Sequence, residues 1–289
     1  NCSSVIIDDE EVPFGSNLLF TLSSGAVLGV EICEDLWVPV PPSSELCLNG
    51  ADIIANLSAS NEAVTKNDYR KNIISVQSAK CFCAYVYASS GVGESSTDLV
   101  FSGACTIAEN GAILSESERF AFDGSSASAF IDFEKLNSER VRNGSFSDNN
   151  EILRENDFTV IPAYVNEAEY DDIARSFYPY PFVPSNESER ELRCGEILSI
   201  QSAGLAKRLA HTGLKKAVIG ISGGLDSTLA LLVAVKAMEM LSLPNENIIC
   251  VTMPGFGTTD MTYNNAVELI KALNTTFKEI DIKPACLRH

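Results

Sequence analysis

Long apolar runs are missing from this chain of 289 residues. No stretch approaches the ~18–20 consecutive apolar residues that a membrane-spanning helix needs, and the first residues show no secretory leader pattern. Positive charge is scarce: 21 Lys and Arg face 39 Asp and Glu, a formal net charge of −18. Nucleic acid is thereby disfavoured as a bulk partner, because its footprint needs a basic surface. Histidine is rarer still, present only at His211 and His289. The nine cysteines are odd in number and scattered, with no close pair matched by another. They are expected to be reduced, buried small hydrophobes, mostly inside apolar strands, and not a zinc cluster or a disulfide frame. These absences point to a cytoplasmic protein.

What is present suffices for substantial cores: 45% of the residues are hydrophobic and the mean hydropathy is +0.07. The length suggests roughly two domains of about 100–200 residues each. The first part reads as short strands split by turns, at Leu18–Leu22, Val27–Cys33, Ile53–Ser58, Ala84–Ser89, Ala104–Ala108 and Ala129–Phe133, with one long helix from Ala63 to Cys81. A Ser/Asn/Asp-rich stretch from Asn137 to Asn150 and a Pro-bearing, acidic and aromatic stretch from Tyr164 to Arg190 mark a boundary. Beyond it, helices at Cys194–Thr212, Thr228–Leu241 and Tyr263–Leu273 alternate with strands at Ala217–Ile221 and Asn247–Met253, and "FKEIDI" follows. That alternation implies βαβ units and a parallel sheet.

The stretch "GISGGLDSTLALL", Gly220 to Leu232, follows the apolar run Ala217-Val218-Ile219 and opens the next helical pattern. Strand, glycine-rich loop and helix N-terminus together make a phosphate cradle of free backbone N–H groups. Gly223 and Gly224 permit positive φ and close approach, while Ser222, Ser227 and Thr228 offer hydroxyls. Asp226 sits where the helix begins, placed to cap it or to hold Mg²⁺ on a pyrophosphate. No lysine follows the glycines, so the G-x-x-x-x-G-K-[ST] pattern fails, and the spacing also fails G-x-G-x-x-G. S-G-G-x-D-S after a strand resembles the signature of the PP-loop ATP pyrophosphatases. That resemblance implies that Gly220, Ile221, Ser222, Gly223, Gly224, Leu225, Asp226, Ser227 and Thr228 bind ATP, with Mg²⁺ on Asp226. It further implies that the backbone at Met253 meets the adenine and that AMP and pyrophosphate are the products.

The second informative stretch is "GVEICEDLWVP", Gly29 to Pro39. An apolar strand ends at Ile32 and Cys33 is followed at once by Glu34 and Asp35. A thiol at a strand end is exposed enough to act as a nucleophile, and the Glu34 N–H would lie where an oxyanion forms. The segment resembles the nitrilase superfamily, as do "IIANLSAS" (Ile53–Ser60) and the stretch Gly91–Leu114. That family also uses a glutamate base and a lysine from segments ahead of the cysteine. Only 32 residues precede Cys33 here, and they contain no lysine, so neither role is assigned and the chain reads as a portion of a longer protein.

A nitrilase-like portion ahead of S-G-G-x-D-S is similar to the family of glutamine-dependent NAD⁺ synthetases. "VPFGSNLLF", "NLSASN", "YPFVP", "VTMPGFGTTDMTYNNA" and "EIDIKPA" extend the likeness over essentially the whole chain. The resemblance implies an α/β protein: a partial nitrilase-like αββα sandwich over 1–150, a linker over 151–186 and part of a parallel-sheet PP-loop domain over 187–289. It implies glutamine hydrolysis at Cys33, with Glu34, Trp37, Ser60 and Lys66 around the glutamine. Ammonia would then amidate deamido-NAD⁺ at the expense of ATP. The implied partners are these small molecules, with no nucleic acid and no membrane, and a homo-oligomer is expected. Two other readings are an amidotransferase or ligase with a different PP-loop substrate, and a non-catalytic piece.

Overall fold

A computed structural model describes residues 3–95, 97–152, 158–165 and 175–288. Among these, the contacts divide the chain into one unit at Asn1–Ser176 and another at Phe177–His289. The linker expected at 151–186 lies partly outside the described residues, as do Cys2 and His289.

The first unit opens with a hairpin of β1 (Ser4–Ile7) and β2 (Glu10–Pro13). Its main sheet is built from β3 (Leu18–Leu22), β4 (Val27–Ile32), β5 (Ile53–Ser58), β6 (Ala84–Ser89), β7 (Cys105–Glu109), β8 (Ala112–Glu116) and β9 (Thr159–Ala163). The strand order is β8-β7-β6-β5-β4-β3-β9. The central strands β4, β5 and β6 run parallel, whereas β7 and β8 return antiparallel. Helices α1 (Pro42–Leu48) and α2 (Lys66–Cys81) pack on one face of this sheet. The close approach of α1 needs a glycine in β4: a Cβ at Gly29 would stand 3.2 Å from Leu46 Cβ and 3.3 Å from Ala51 Cβ. Leu19, Leu46, Ile54, Ile74, Cys83 and Tyr85 fill the core between the layers. The opposite face is more open, with Ile32 63% and Leu57 58% exposed. One α layer and one β layer of the four-layer arrangement are thus present.

Three expectations for this unit are corrected. Residues 129–132 form no strand, and Phe133 opens a helix instead, α3 (Phe133–Arg142). The Asp132 side chain accepts the Lys135 N–H and caps that helix, an interaction stronger than the strand preference of a short apolar run. The long helix begins at Lys66 because Thr65 takes a left-handed φ of 71°, which no helical residue ahead of it could continue. The cysteines, counted along the whole chain, are not mostly in strands: Cys47 lies in α1, Cys81 closes α2, Cys194 lies in a later helix, and among the described residues only Cys105 and Cys250 are strand residues. A further helix, α4 (Gly144–Ile152), follows α3.

The second unit starts with α5 (Glu187–Thr212), seven residues earlier than the apolar pattern alone places it. Asn186 accepts the Ser188 N–H and so starts the helix among polar residues. Strands β10 (Ala217–Gly220), β11 (Ile248–Thr252) and β12 (Thr276–Glu279) form a parallel sheet in that order. They are joined by α6 (Leu225–Met240) and α7 (Asp260–Ala272), and α8 (Lys283–Cys286) follows. Leu231, Ala234, Met238, Ile248, Cys250 and Ile270 are buried between sheet and helices. The helices cover one face of this sheet, and the other is more open, with Val218 of β10 69% exposed.

Candidate active site

Parallel strands gather functional groups at their C-terminal ends. In the first unit those ends carry Cys33 after β4, Ser60 just beyond β5 and Ser90 after β6. Cys33 is half-buried and has a φ of 51°. A left-handed conformation at a non-glycine residue costs on the order of 1–3 kcal/mol and persists only where its surroundings impose it. Here the turn Cys33–Trp37 leaves the strand at once, and the Asp35 carboxylate accepts the Ile32 N–H at 2.8 Å. The first N–H groups of such a turn have no carbonyl within it to bond.

Trp37 and Lys66, expected around one substrate, are brought together. Lys66 Nζ lies 5.6 Å from the Trp37 ring centroid and donates to the Asn61 carbonyl at 2.8 Å and to Asn61 Oδ1 at 3.1 Å. Trp37 stacks on Tyr69 at 5.5 Å between centroids. Ser60 is buried and Glu34 is exposed.

A second group escaped sequence reasoning. Glu62, Ala63, Asn67, Arg119 and Phe120 line a cavity of about 480 Å³ at the start of α2. Buried Glu62 accepts from Ser102 Oγ at 2.6 Å, Arg70 at 2.9 Å and Arg119 at 2.9 Å. Burial pushes its carboxyl up, but the bonds from Ser102 and Arg70 and the charges of both arginines outweigh that and hold it below its ordinary value. The three donors lie between 8 and 57 positions away along the chain, so no local motif announces them.

In the second unit the glycine-rich loop runs from β10 into α6. Gly224 caps α6 with no side-chain bond, which leaves the first amides of that helix free for a ligand. Ser227 Oγ donates to the Gly224 carbonyl at 3.1 Å and lies 3.2 Å from Ser222 Oγ, while the Gly224 N–H donates to Ser222 Oγ at 3.3 Å. The two serines therefore shape the loop from within. Gly223 has a φ of 82°, and a Cβ there would fall 2.0 Å from the Thr262 carbonyl oxygen of α7.

A cavity of about 350 Å³ is lined by Gly220, Ile221, Ser222, Met253, Thr258 and Tyr263, among others. Met253 is half-exposed, and a Cβ at Gly220 would stand 3.6 Å from its terminal methyl. Gly223, Gly224, Leu225 and Thr228 line a separate, more open cleft of about 550 Å³ with Asn265 and Glu268. Asp226 and Ser227 border neither space. Thr258 and Tyr263 were not anticipated, although "GTTDMTY" carries the hydroxyl-rich signal of a helix N-terminus. Tyr263 donates to Glu279, and that bond raises its hydroxyl above the ordinary tyrosine value.

The carbon–nitrogen hydrolase family matches residues 8–131 and the NAD synthase family matches residues 197–288. A glutamine-dependent NAD(+) synthetase of Mycobacterium leprae is 44% identical over 286 residues, covering 96% of this chain and 42% of its own. That of Mycobacterium tuberculosis strain H37Rv is 43% identical over 288 residues, with the same 96% and 42% coverage. A solved glutamine-dependent NAD+ synthetase from Acinetobacter baumannii, in complex with adenosine diphosphate, aligns over 91% of this chain and 40% of its own at 21% identity, with a TM-score of 0.34. The chain spans about two fifths of the length of the curated relatives it matches.

Proposed function

The chain carries a carbon–nitrogen hydrolase domain followed by an NAD synthase domain, and we propose that it supplies the glutaminase nucleophile and the ATP loop of a glutamine-dependent NAD⁺ synthetase. The observation that carries this reading is Cys33, held at a φ of 51° at the end of β4, in one chain with the S-G-G-x-D-S loop. The domains assigned to the two half-reactions are 1–150 and 187–289, with 151–186 between them, of which β9 (Thr159–Ala163) adds an edge strand to the first unit's sheet.

In the first half-reaction the Cys33 thiolate attacks the side-chain amide carbon of glutamine. The tetrahedral oxyanion faces the Glu34 N–H, ammonia leaves, and water hydrolyses the thioester to glutamate. Lys66 and Ser60 meet the α-carboxylate and α-amino groups, and Trp37 and Glu34 complete the wall. The described cysteines, Cys33 among them, are all free thiols, in keeping with the reducing cytoplasmic setting proposed for the chain.

In the second half-reaction the carboxylate of deamido-NAD⁺ attacks the α-phosphorus of ATP and pyrophosphate departs. Ammonia then attacks the activated carbonyl and AMP leaves, which makes the enzyme a carbon–nitrogen ligase with glutamine as amido donor. The backbone amides of Gly220–Thr228 and the hydroxyls of Ser222, Ser227 and Thr228 receive the phosphates, with Met253 beside the adenine. Asp226 is the loop's carboxylate, and no group of three or more His, Cys, Asp and Glu able to hold a metal ion occurs among the described residues. Mg²⁺ would therefore be held by Asp226 together with phosphate oxygens, its usual mode, and would neutralise the departing pyrophosphate. Product analysis tests this half: ATP must yield AMP and pyrophosphate, and the appearance of ADP and phosphate would overturn it.

A further inference from the structure

Two positions ahead of Cys33 stands a buried carboxylate with no role in the chemistry above. Glu31 is 2% exposed. Its Oε2 accepts the Ser43 N–H at 2.7 Å, and its Oε1 accepts from Asn56 Nδ2 at 3.4 Å and from the Tyr85 hydroxyl. All three partners donate, which suits a group that can only accept. They come from three different elements, α1, β5 and β6.

The connection to α1 carries the consequence. Pro42 opens that helix without an N–H, so the Ser43 N–H is its first free donor, and Glu31 takes it. Residues 31 and 43 are the two ends of the segment that contains Cys33, Glu34 and Trp37, so one side chain closes that segment at its base. Ser43 is held from the other side as well, because Gln77 Nε2 of α2 donates to Ser43 Oγ at 2.9 Å. Asn56 is the register partner of Glu31 across β4 and β5, and Asn56 Oδ1 accepts from Ser58 Oγ at 2.7 Å, close to the strand end that leads to Ser60. Within the turn itself, Asp35 holds the Ile32 N–H. The left-handed Cys33 therefore sits between two carboxylate clamps, a tight one at Asp35 and a wide one at Glu31.

We infer that Glu31 is a positioning residue for the Cys33 nucleophile, acting through its bridge to the Ser43 amide. This rests on Cys33 being the glutaminase nucleophile. A displaced nucleophile loses rate while substrate contacts elsewhere persist.

The test uses the full-length protein and reads glutamine-supported and ammonia-supported NAD⁺ synthesis side by side, with the rate of Cys33 alkylation by iodoacetamide. Glu31→Ala should lower the glutamine-supported kcat by about 10- to 100-fold, leave the glutamine KM within twofold, slow alkylation, and leave ammonia-supported synthesis unchanged. Two near-isosteres separate reach from charge. Glu31→Gln keeps an acceptor at the distance of the Ser43 N–H and should restore most of the rate. Glu31→Asp keeps the charge but is one methylene shorter and should not. Rescue by Asp and not by Gln, a rise in KM without a fall in kcat, or a parallel loss of both activities would each overturn the inference. Should Glu31→Ala fail to fold, the Gln and Asp pair decides alone. A Cys33→Ala control that still uses glutamine would instead overturn the underlying assignment and leave the role of Glu31 in the fold untouched.

Discussion

Arg70 donates to Glu62 across 2.9 Å, and the two side chains are only 1% and 7% exposed. Breaking a buried pair by removing one partner costs about 3–5 kcal/mol, because the other charge is left without compensation. Arg70→Met, which keeps most of the volume, should lower the urea midpoint of the first unit accordingly, reduced in part because Arg119 still reaches Glu62 at 2.9 Å. An unchanged midpoint would show that the pair contributes nothing.

The same pair sets a pH dependence. The carboxyls of Glu62 and Glu109 both lie below their ordinary value in the folded chain. For Glu109, burial opposes the shift, and bonds from Arg175 and the Asp132 N–H overcome it. A depressed carboxyl contributes stability that is fully present above the unfolded value and is lost as pH falls through the folded value. Unfolding free energy should therefore decline below about pH 4.5, the ordinary glutamate value, and decline less steeply in Arg70→Met. Equal slopes for the two proteins would contradict this.

Gly223→Ala tests the contact between the glycine-rich loop and α7. The substitution is opposed twice, by a φ of 82° and by a Cβ position 2.0 Å from the Thr262 carbonyl oxygen. Either the loop or the start of α7 must move, so the ATP KM should rise at least tenfold and stability should fall by more than ~1 kcal/mol. Wild-type ATP binding in the variant would mean that this close approach does not shape the nucleotide site.

How much of this was legible in the sequence depends on how far apart the interacting residues lie. Strands β5 and β6 are apolar runs bounded by turns, and their limits, Ile53–Ser58 and Ala84–Ser89, follow from that pattern directly. The strand-to-turn switch at Cys33 and the glycine loop at Gly220–Asp226 are likewise local. The run at 129–133 misleads because a single side chain, that of Asp132, converts its end into a helix start. The clamp of Glu31 on Ser43 and the convergence of Arg70 and Arg119 on Glu62 join positions that only the folded sheet and its helices bring together. Glutamate and arginine in isolation read as solvated surface, and nothing in their neighbours marks these as buried.

Lys66 offers a test of the glutamine pocket. Its ammonium donates to Asn61 and lies over the Trp37 ring, beside the residues proposed to hold glutamine. Lys66→Ala should raise the glutamine KM by about tenfold, the equivalent of roughly 1.4 kcal/mol of lost binding, with ammonia-supported synthesis unaffected. An unchanged glutamine KM would make Lys66 a structural tether of α2.

In the function proposed above, one chain carries the ammonia-producing nucleophile and the ATP loop that activates the ammonia acceptor. The most direct measurement of this is NAD⁺ synthesis by full-length Cys33→Ala, supplied with either glutamine or ammonium as nitrogen donor. Synthesis from glutamine should be abolished while synthesis from ammonium proceeds near the unsubstituted rate. Sustained synthesis from glutamine in that variant would contradict the proposal.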